Sequence, residues 1–90
     1  MLRFGLGSAY YNDDKFSLAV MHLDACLAQD DSYSAAYKLL GKAYMKQGDL
    51  TKAISTFEAG MLIAEAQGDK QSRKEMQVFL GKAHKEIGNA

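Results

Sequence analysis

Proline and tryptophan are absent from all 90 residues, and cysteine occurs once, as Cys26. Each absence narrows what the chain can be. Without proline, nothing forces a kink or removes a backbone donor, so helices can run uninterrupted from turn to turn. A single cysteine leaves no partner for an internal disulfide, which suits a reducing compartment and predicts a cytoplasmic protein. Charge of one sign is also missing, since eleven Lys and Arg balance eleven Asp and Glu. A dedicated nucleic-acid binder carries a strong positive excess, so no nucleic-acid partner is expected. No apolar run approaches the ~18–20 residues of a membrane span, so no membrane partner is expected either. Met1-Leu2-Arg3 leads into a glycine-punctuated amphipathic segment, unlike the continuous apolar stretch of a secretion signal. β-Branched residues are few, and no segment alternates apolar and polar residues over strand length. The remainder is rich in Ala, Leu, Met, Lys, Glu and Gln, all good helix formers. With 48% hydrophobic residues the chain can fill a core. Composition therefore predicts one all-α domain over residues 1–90.

What is present repeats. Leu40-Gly41-Lys42-Ala43 followed by Tyr44 and Gly48 recurs as Leu80-Gly81-Lys82-Ala83 followed by His84 and Gly88. A fainter copy opens the chain as Leu6-Gly7, Ala9 and Tyr10. Apolar residues at helical spacing predict five helices, over about 2–11, 16–29, 34–47, 50–67 and 72–87. Ser17 and Thr51 are the expected N-caps of the second and fourth helices. Ser72 through Glu75 has the form of a capping box for the fifth. Asn12-Asp13-Asp14, Asp30-Asp31-Ser32, Gly48-Asp49 and Gly68-Asp69 read as turns, and the last residues, Gly88-Asn89-Ala90, are expected to fray. Gly5 and Gly7 each weaken the first helix by roughly 1 kcal/mol relative to Ala. Close approach of a neighbouring helix at Gly7 is the simplest reason for one of them. Leu6, Gly7, Ala9, Tyr10 and Ala19 recur 34 residues later as Leu40, Gly41, Ala43, Tyr44 and Ala53. Leu23 likewise becomes Phe57. A helix pair repeating at this interval means stacked units.

The chain resembles a small tetratricopeptide-repeat (TPR) protein over essentially its whole length. The family pattern is a large aromatic, then Leu-Gly, then Tyr in one helix, followed by Ala, Phe and a small residue in the next. Tyr37, Leu40-Gly41, Tyr44, Ala53, Phe57 and Gly60 match it well. In the first unit Arg3 stands at the aromatic position, while Leu6-Gly7, Tyr10, Ala19, Leu23 and Cys26 fit. The third unit is half present as Gln77, Leu80-Gly81 and His84, spaced 40 residues from the second, which suggests a longer fourth helix. Asp31 stands where a proline often ends the unit. The resemblance implies antiparallel helix pairs stacked as a right-handed superhelix. Its units are repeat one at about 1–33, repeat two at about 34–67 and a capping half-repeat at about 70–88.

No catalytic constellation is visible, and neither an enzyme nor a cofactor is expected. The three Leu-Gly pairs lie inside helices and not in a strand-to-helix turn, so they are packing devices and not a nucleotide fingerprint. His22 and Cys26 sit four apart on one helix, a spacing compatible with metal ligation, but nothing completes a site. Cys26 matches Gly60 one repeat on, which marks it as a packing position, and no metal is expected. The resemblance implies protein–protein interaction through a groove lined by the first helix of each unit. Lys38, Lys42 and Met45 share the stripe beside the packing face. Carried over, it gives Phe4, Ser8 and Tyr11 in the first helix and Val78, Lys82 and Lys85 in the fifth. The groove is thus expected to be aromatic at one end and lysine-lined elsewhere, attracting a peptide or protein with an acidic segment or free carboxylate. The alternative is that these lysines form only a solvated face. The carboxylate-clamp form of the family carries an asparagine where Lys42 stands, so no chaperone-tail ligand is implied.

A second function is open. Leu2, Phe4 and Tyr11 have no preceding helix to cover them, so the first helix is a candidate for homodimerisation or self-assembly. Up to Asp31 two basic residues face five acidic ones, and from Ser32 onward nine basic face six acidic. Such an asymmetry permits salt-sensitive head-to-tail association.

Overall fold

The computed structural model describes residues Leu2–Gly88. It consists of α1 (Leu2–Asn12), α2 (Phe16–Gln29), α3 (Ser34–Lys46), α4 (Leu50–Ala66) and α5 (Lys70–Gly88), with no strand among the described residues. Of the expected frayed end, Gly88 closes α5, and Asn89 and Ala90 lie outside the described residues. Each helix packs on its neighbours in sequence. In addition, α3 approaches both α1 and α5, whereas α2 and α4 do not come within 8 Å of each other. The odd-numbered helices therefore form one continuous layer, and the even-numbered helices splay apart on the other side. That difference in spacing makes the α1–α3–α5 face the inner face of the stack.

Three glycines set how closely the helices nest. A Cβ on Gly7 would lie 2.7 Å from Leu23 Cγ, and one on Gly41 would strike the Phe57 ring. One on Gly60 would lie 2.5 Å from Tyr37 Cβ and 2.6 Å from Met76 Sδ. Leu23, Phe57 and Met76 fill these notches and are completely buried. Burying each such side chain contributes about 1.5–3 kcal/mol. Two clusters result: Ala19, Leu23, Cys26, Ala36, Leu40 and Ala43 join the first pair to α3, while Ala53, Phe57, Ala64 and Met76 join α4 to α5. Cys26 is thus a packing residue.

A second face of the odd helices was not visible in the repeat motif. Ala36 and Ala43 on α3, and Met76 and Ala83 on α5, are fully buried, while Leu39 and Phe79 between them pack on the same clusters. Gln77 and His84 stand where α3 has Tyr37 and Tyr44, and both are exposed.

Three helix starts differ from expectation. Ser17 is not a cap, because α2 begins at Phe16 with Lys15 at the N-cap and no side-chain cap bond. Thr51 is not one either: Asp49 caps α4, its Oδ1 accepting from the Lys52 amide at 3.2 Å. Asp69 does the same for α5, accepting from the Ser72 amide at 3.1 Å. Ser72 and Glu75 therefore form no capping box; α5 starts at Lys70, and Glu75 pairs elsewhere. At α4 and α5 an aspartate ahead of the helix outcompetes a hydroxyl inside it, since the residue preceding the first turn is placed to reach its free N–H groups. The six extra residues of the last spacing do not all lengthen α4. It is three residues longer than α2, α5 begins four residues earlier than α3 does relative to the motif, and the turn between is one residue shorter.

The exits of α1, α3 and α4 share one geometry, whereas α2 ends on the extended Asp30. Gly48 and Gly68 have φ of +80° and +71°, and Asp14 stands at the position of Gly48 with φ of 61°. After each, an amide reaches back to a carbonyl five residues earlier: Lys15 to Tyr10, Asp49 to Tyr44 and Asp69 to Ala64, at 2.8–2.9 Å. This left-handed closure satisfies carbonyls the helix end leaves free.

Candidate functional site

The inner face carries a cavity of about 210 Å³ to which all three odd-numbered helices contribute. Tyr11 comes from the last turn of α1. Lys42, Met45 and Lys46 come from α3, and Phe79, Lys82 and Glu86 from α5. Its floor is Phe79, whose ring stacks on buried Phe57 with centroids 6.0 Å apart and an interplanar angle of 15°. Phe79 lies between Met76 and Ala83 along α5, so its position is fixed by the core beneath it.

Two ammonium groups flank that ring. Lys42 Nζ is 5.1 Å from the Phe79 centroid and 5.4 Å from that of Tyr11; Lys82 Nζ is 5.3 Å from Phe79. Each ring face attracts a cation by about 0.5–1 kcal/mol or more, depending on exposure. Neither lysine makes an ion pair among the described residues. Two cations on a half-buried aromatic floor leave net positive charge directed into the cavity. Burial, and secondarily the Asp14 charge, raise the Tyr11 phenol above its ordinary pKa, so its ring stays neutral beside Lys42.

Of the nine side chains expected in the groove, Tyr11, Lys42, Met45 and Lys82 line this cavity. Phe4 instead meets Tyr33 in a tilted ring pair, at 4.9 Å and 42°, and packs on the first core cluster. Ser8 is half-buried on α1 outside the cavity lining. Val78, 58% exposed, and Lys85 lie off it on α5. Lys38 is not a free cation, because its Nζ meets Glu75 Oε1 at 2.8 Å, tying α3 to α5. The four expected lysines are thereby reduced to two, joined by Lys46 and opposed at one end by Glu86. Sequence reasoning missed Lys46, Phe79 and Glu86. The signal for Phe79 was its place three residues after Met76 and four before Ala83, at the edge of the buried stripe.

A larger hollow of about 370 Å³ lies at the α4–α5 turn, lined by Lys70, Arg73 and Lys74 but also by Glu65 and Asp69. Its two carboxylates are already engaged: Arg73 Nε is 3.8 Å from Glu65, and Asp69 accepts from Ser34 Oγ and caps α5. Three cations against two carboxylates leave it one surplus positive charge, whereas the inner-face cavity has three lysines against Glu86 and an aromatic floor, and is the better candidate. His22 and Cys26 are not brought together as ligands. The His22 Nδ1 is 3.1 Å from an Arg3 guanidinium nitrogen, while Cys26 is sealed in the core. No helix among the described residues is long and apolar enough to cross a membrane.

Known proteins bear out the architecture. The family model for the tetratricopeptide repeat matches residues 10–74. A TPR repeat-containing protein of Pseudomonas aeruginosa is 49% identical over 82 residues, which cover 91% of this chain and 78% of that protein. The solution structure of a Bordetella parapertussis protein is 44% identical and superposes with a TM-score of 0.87 over 94% of this chain and 74% of its own. The crystal structure of a Salinibacter ruber tetratricopeptide repeat domain protein, 26% identical, gives 0.85 over 92% of both. Helix order, notch glycines and relatives agree, and the chain belongs to the tetratricopeptide-repeat family, whose general role is to bind other proteins.

Proposed function

We propose that this chain is a non-catalytic, cytoplasmic interaction module that seats a segment of a partner protein along its inner face. The segment's acidic side chain, or a free terminal carboxylate, bridges Lys42 and Lys82, and its apolar neighbour rests against Phe79, Met45 and Tyr11. The observation that carries this reading is the Lys42 ammonium held between the Tyr11 and Phe79 rings, with no carboxylate paired to it among the described residues. A carboxylate arriving there meets two cations already positioned, so little side-chain entropy remains to be lost on binding. Lys38 is excluded from this role by Glu75. Glu86, at the cavity's edge, repels a second acid placed next to it and so sets the direction of the chain.

The test is capture of the native partner by the wild-type chain and by Lys42→Glu with Lys82→Glu. Both residues are partly or fully exposed, so helicity by circular dichroism should be unchanged while capture falls at least about tenfold. Undiminished capture by the folded double variant rejects the lysine-lined site.

A further inference from the structure

We infer that copies of this chain stack end to end, α5 of one molecule against α1 of the next. The inference uses the two ends of the stack and does not depend on the inner-face cavity. Five glycines lie inside helices ahead of the last residue of α5. Gly7, Gly41 and Gly60 are each filled by a neighbour, whereas a Cβ on Gly5 or Gly81 would meet nothing within 4 Å. A glycine within a helix is unfavourable relative to alanine, and among the described residues nothing compensates for these two. They lie at opposite ends, Gly5 on the outer side of α1 and Gly81 on the outer side of α5.

Each open notch lies three residues from an exposed apolar knob. Leu2, 79% exposed, precedes Gly5, and Val78 precedes Gly81. Set α1 antiparallel to α5 of another copy with Leu2 opposite Gly81, and Gly5 falls opposite Val78. The same alignment places Asp13, at the end of α1, opposite Lys70 at the start of α5, with Lys74 one turn further. These three are exposed and make no ion pair among the described residues. The wider charge distribution agrees: up to Asp31 two basic residues face five acidic ones, and α5 carries five basic against two acidic. One antiparallel register thus satisfies both notches and the charge at once. The two surfaces differ, so the contact is heterologous and does not close on itself as a two-fold dimer.

The experiment is sedimentation of the full 90-residue chain across concentration, at low ionic strength and at about 1 M salt, where the screening length is about 3 Å. The weight-average mass should climb past that of a dimer at low salt and return to 9.9 kDa at high salt. Gly81→Gln places its side chain in open space, so circular dichroism and melting should show a folded chain while association weakens about tenfold or more. Asp13→Lys should weaken it as well, and adding Lys70→Glu should restore it. A mass that stays at one chain throughout, a mass that stops at two, or a Gly81→Gln chain that associates like wild type overturns the inference.

Discussion

Gly41 and Gly81 hold the same place in two copies of one motif, yet their surroundings are opposite. At Gly41 the Phe57 ring occupies the space a side chain would need; at Gly81 that space is empty. Around Gly41, Tyr37 and Tyr44 pack on the core, and around Gly81 their counterparts Gln77 and His84 face water. A motif residue therefore takes its meaning from the helix that follows it. The middle of the stack uses the glycine for nesting. In α5 the glycine is kept, but polar residues that face water replace the aromatics.

The contrast can be broken at its strongest point first. Phe57→Ala should lose about 3–5 kcal/mol in denaturant unfolding, because the ring is wholly buried and joins the notch of Gly41 to the floor of the cavity. Gly41→Ala should lose about 2 kcal/mol by overpacking. In the Phe57→Ala background the same change should cost much less, and the double-mutant cycle measures that coupling. Asp49→Ala, which removes the cap of α4, should lose about 1 kcal/mol. Gly81→Ala should do the reverse and gain about 0.5–1 kcal/mol, since it relieves a helical glycine and meets no neighbour. Equal effects at Gly41 and Gly81 would erase the distinction between middle and end.

Acid should reveal the turns. Hydrogen bonds from Ser72, chiefly, hold the Asp69 carboxyl below its ordinary 3.8, and those from Ser32 do the same for Asp30. Groups with lowered folded pKa values add stability that is fully present above the ordinary value and is lost as pH falls through the lowered one. Asp24 runs the other way. Burial raises its pKa, so its contribution is present at low pH and is lost as pH rises through that raised value. Melting temperature should therefore drop below pH 3.8, and Asp69→Asn should flatten that drop at the α5 end. An unchanged acid limb in the variant would show that this cap does not couple folding to pH.

Much of the fold could be read from residue types alone because the repeat fixes distance as well as pattern. Gly7, Gly41 and Gly60 announce close approach, and the structure supplies Leu23, Phe57, Tyr37 and Met76 as what approaches. The caps were not legible in the same way. Asp49 and Thr51 are two residues apart and both suit an N-cap, and only the backbone path decides which one precedes the helix. The cavity was half legible. Copying the stripe of α3 onto α5 located Lys82 but chose Val78 and Lys85 over Phe79 and Glu86. A groove floor is the margin of the buried face, so the buried residues Met76 and Ala83 must be known before Phe79 can be placed. The loss of Lys38 to Glu75 had no sequence signal, since the partners lie 37 residues apart on different helices.

Titration of the isotope-labelled chain with acidic peptides from its partner, followed by amide and methyl shifts, tests the inner-face site most directly. Saturable, salt-weakened perturbations centred on Tyr11, Lys42, Met45, Phe79 and Lys82 are predicted, and Lys42→Glu with Lys82→Glu should abolish them. Perturbations confined to α2 and α4, or identical in that double variant, would contradict the site.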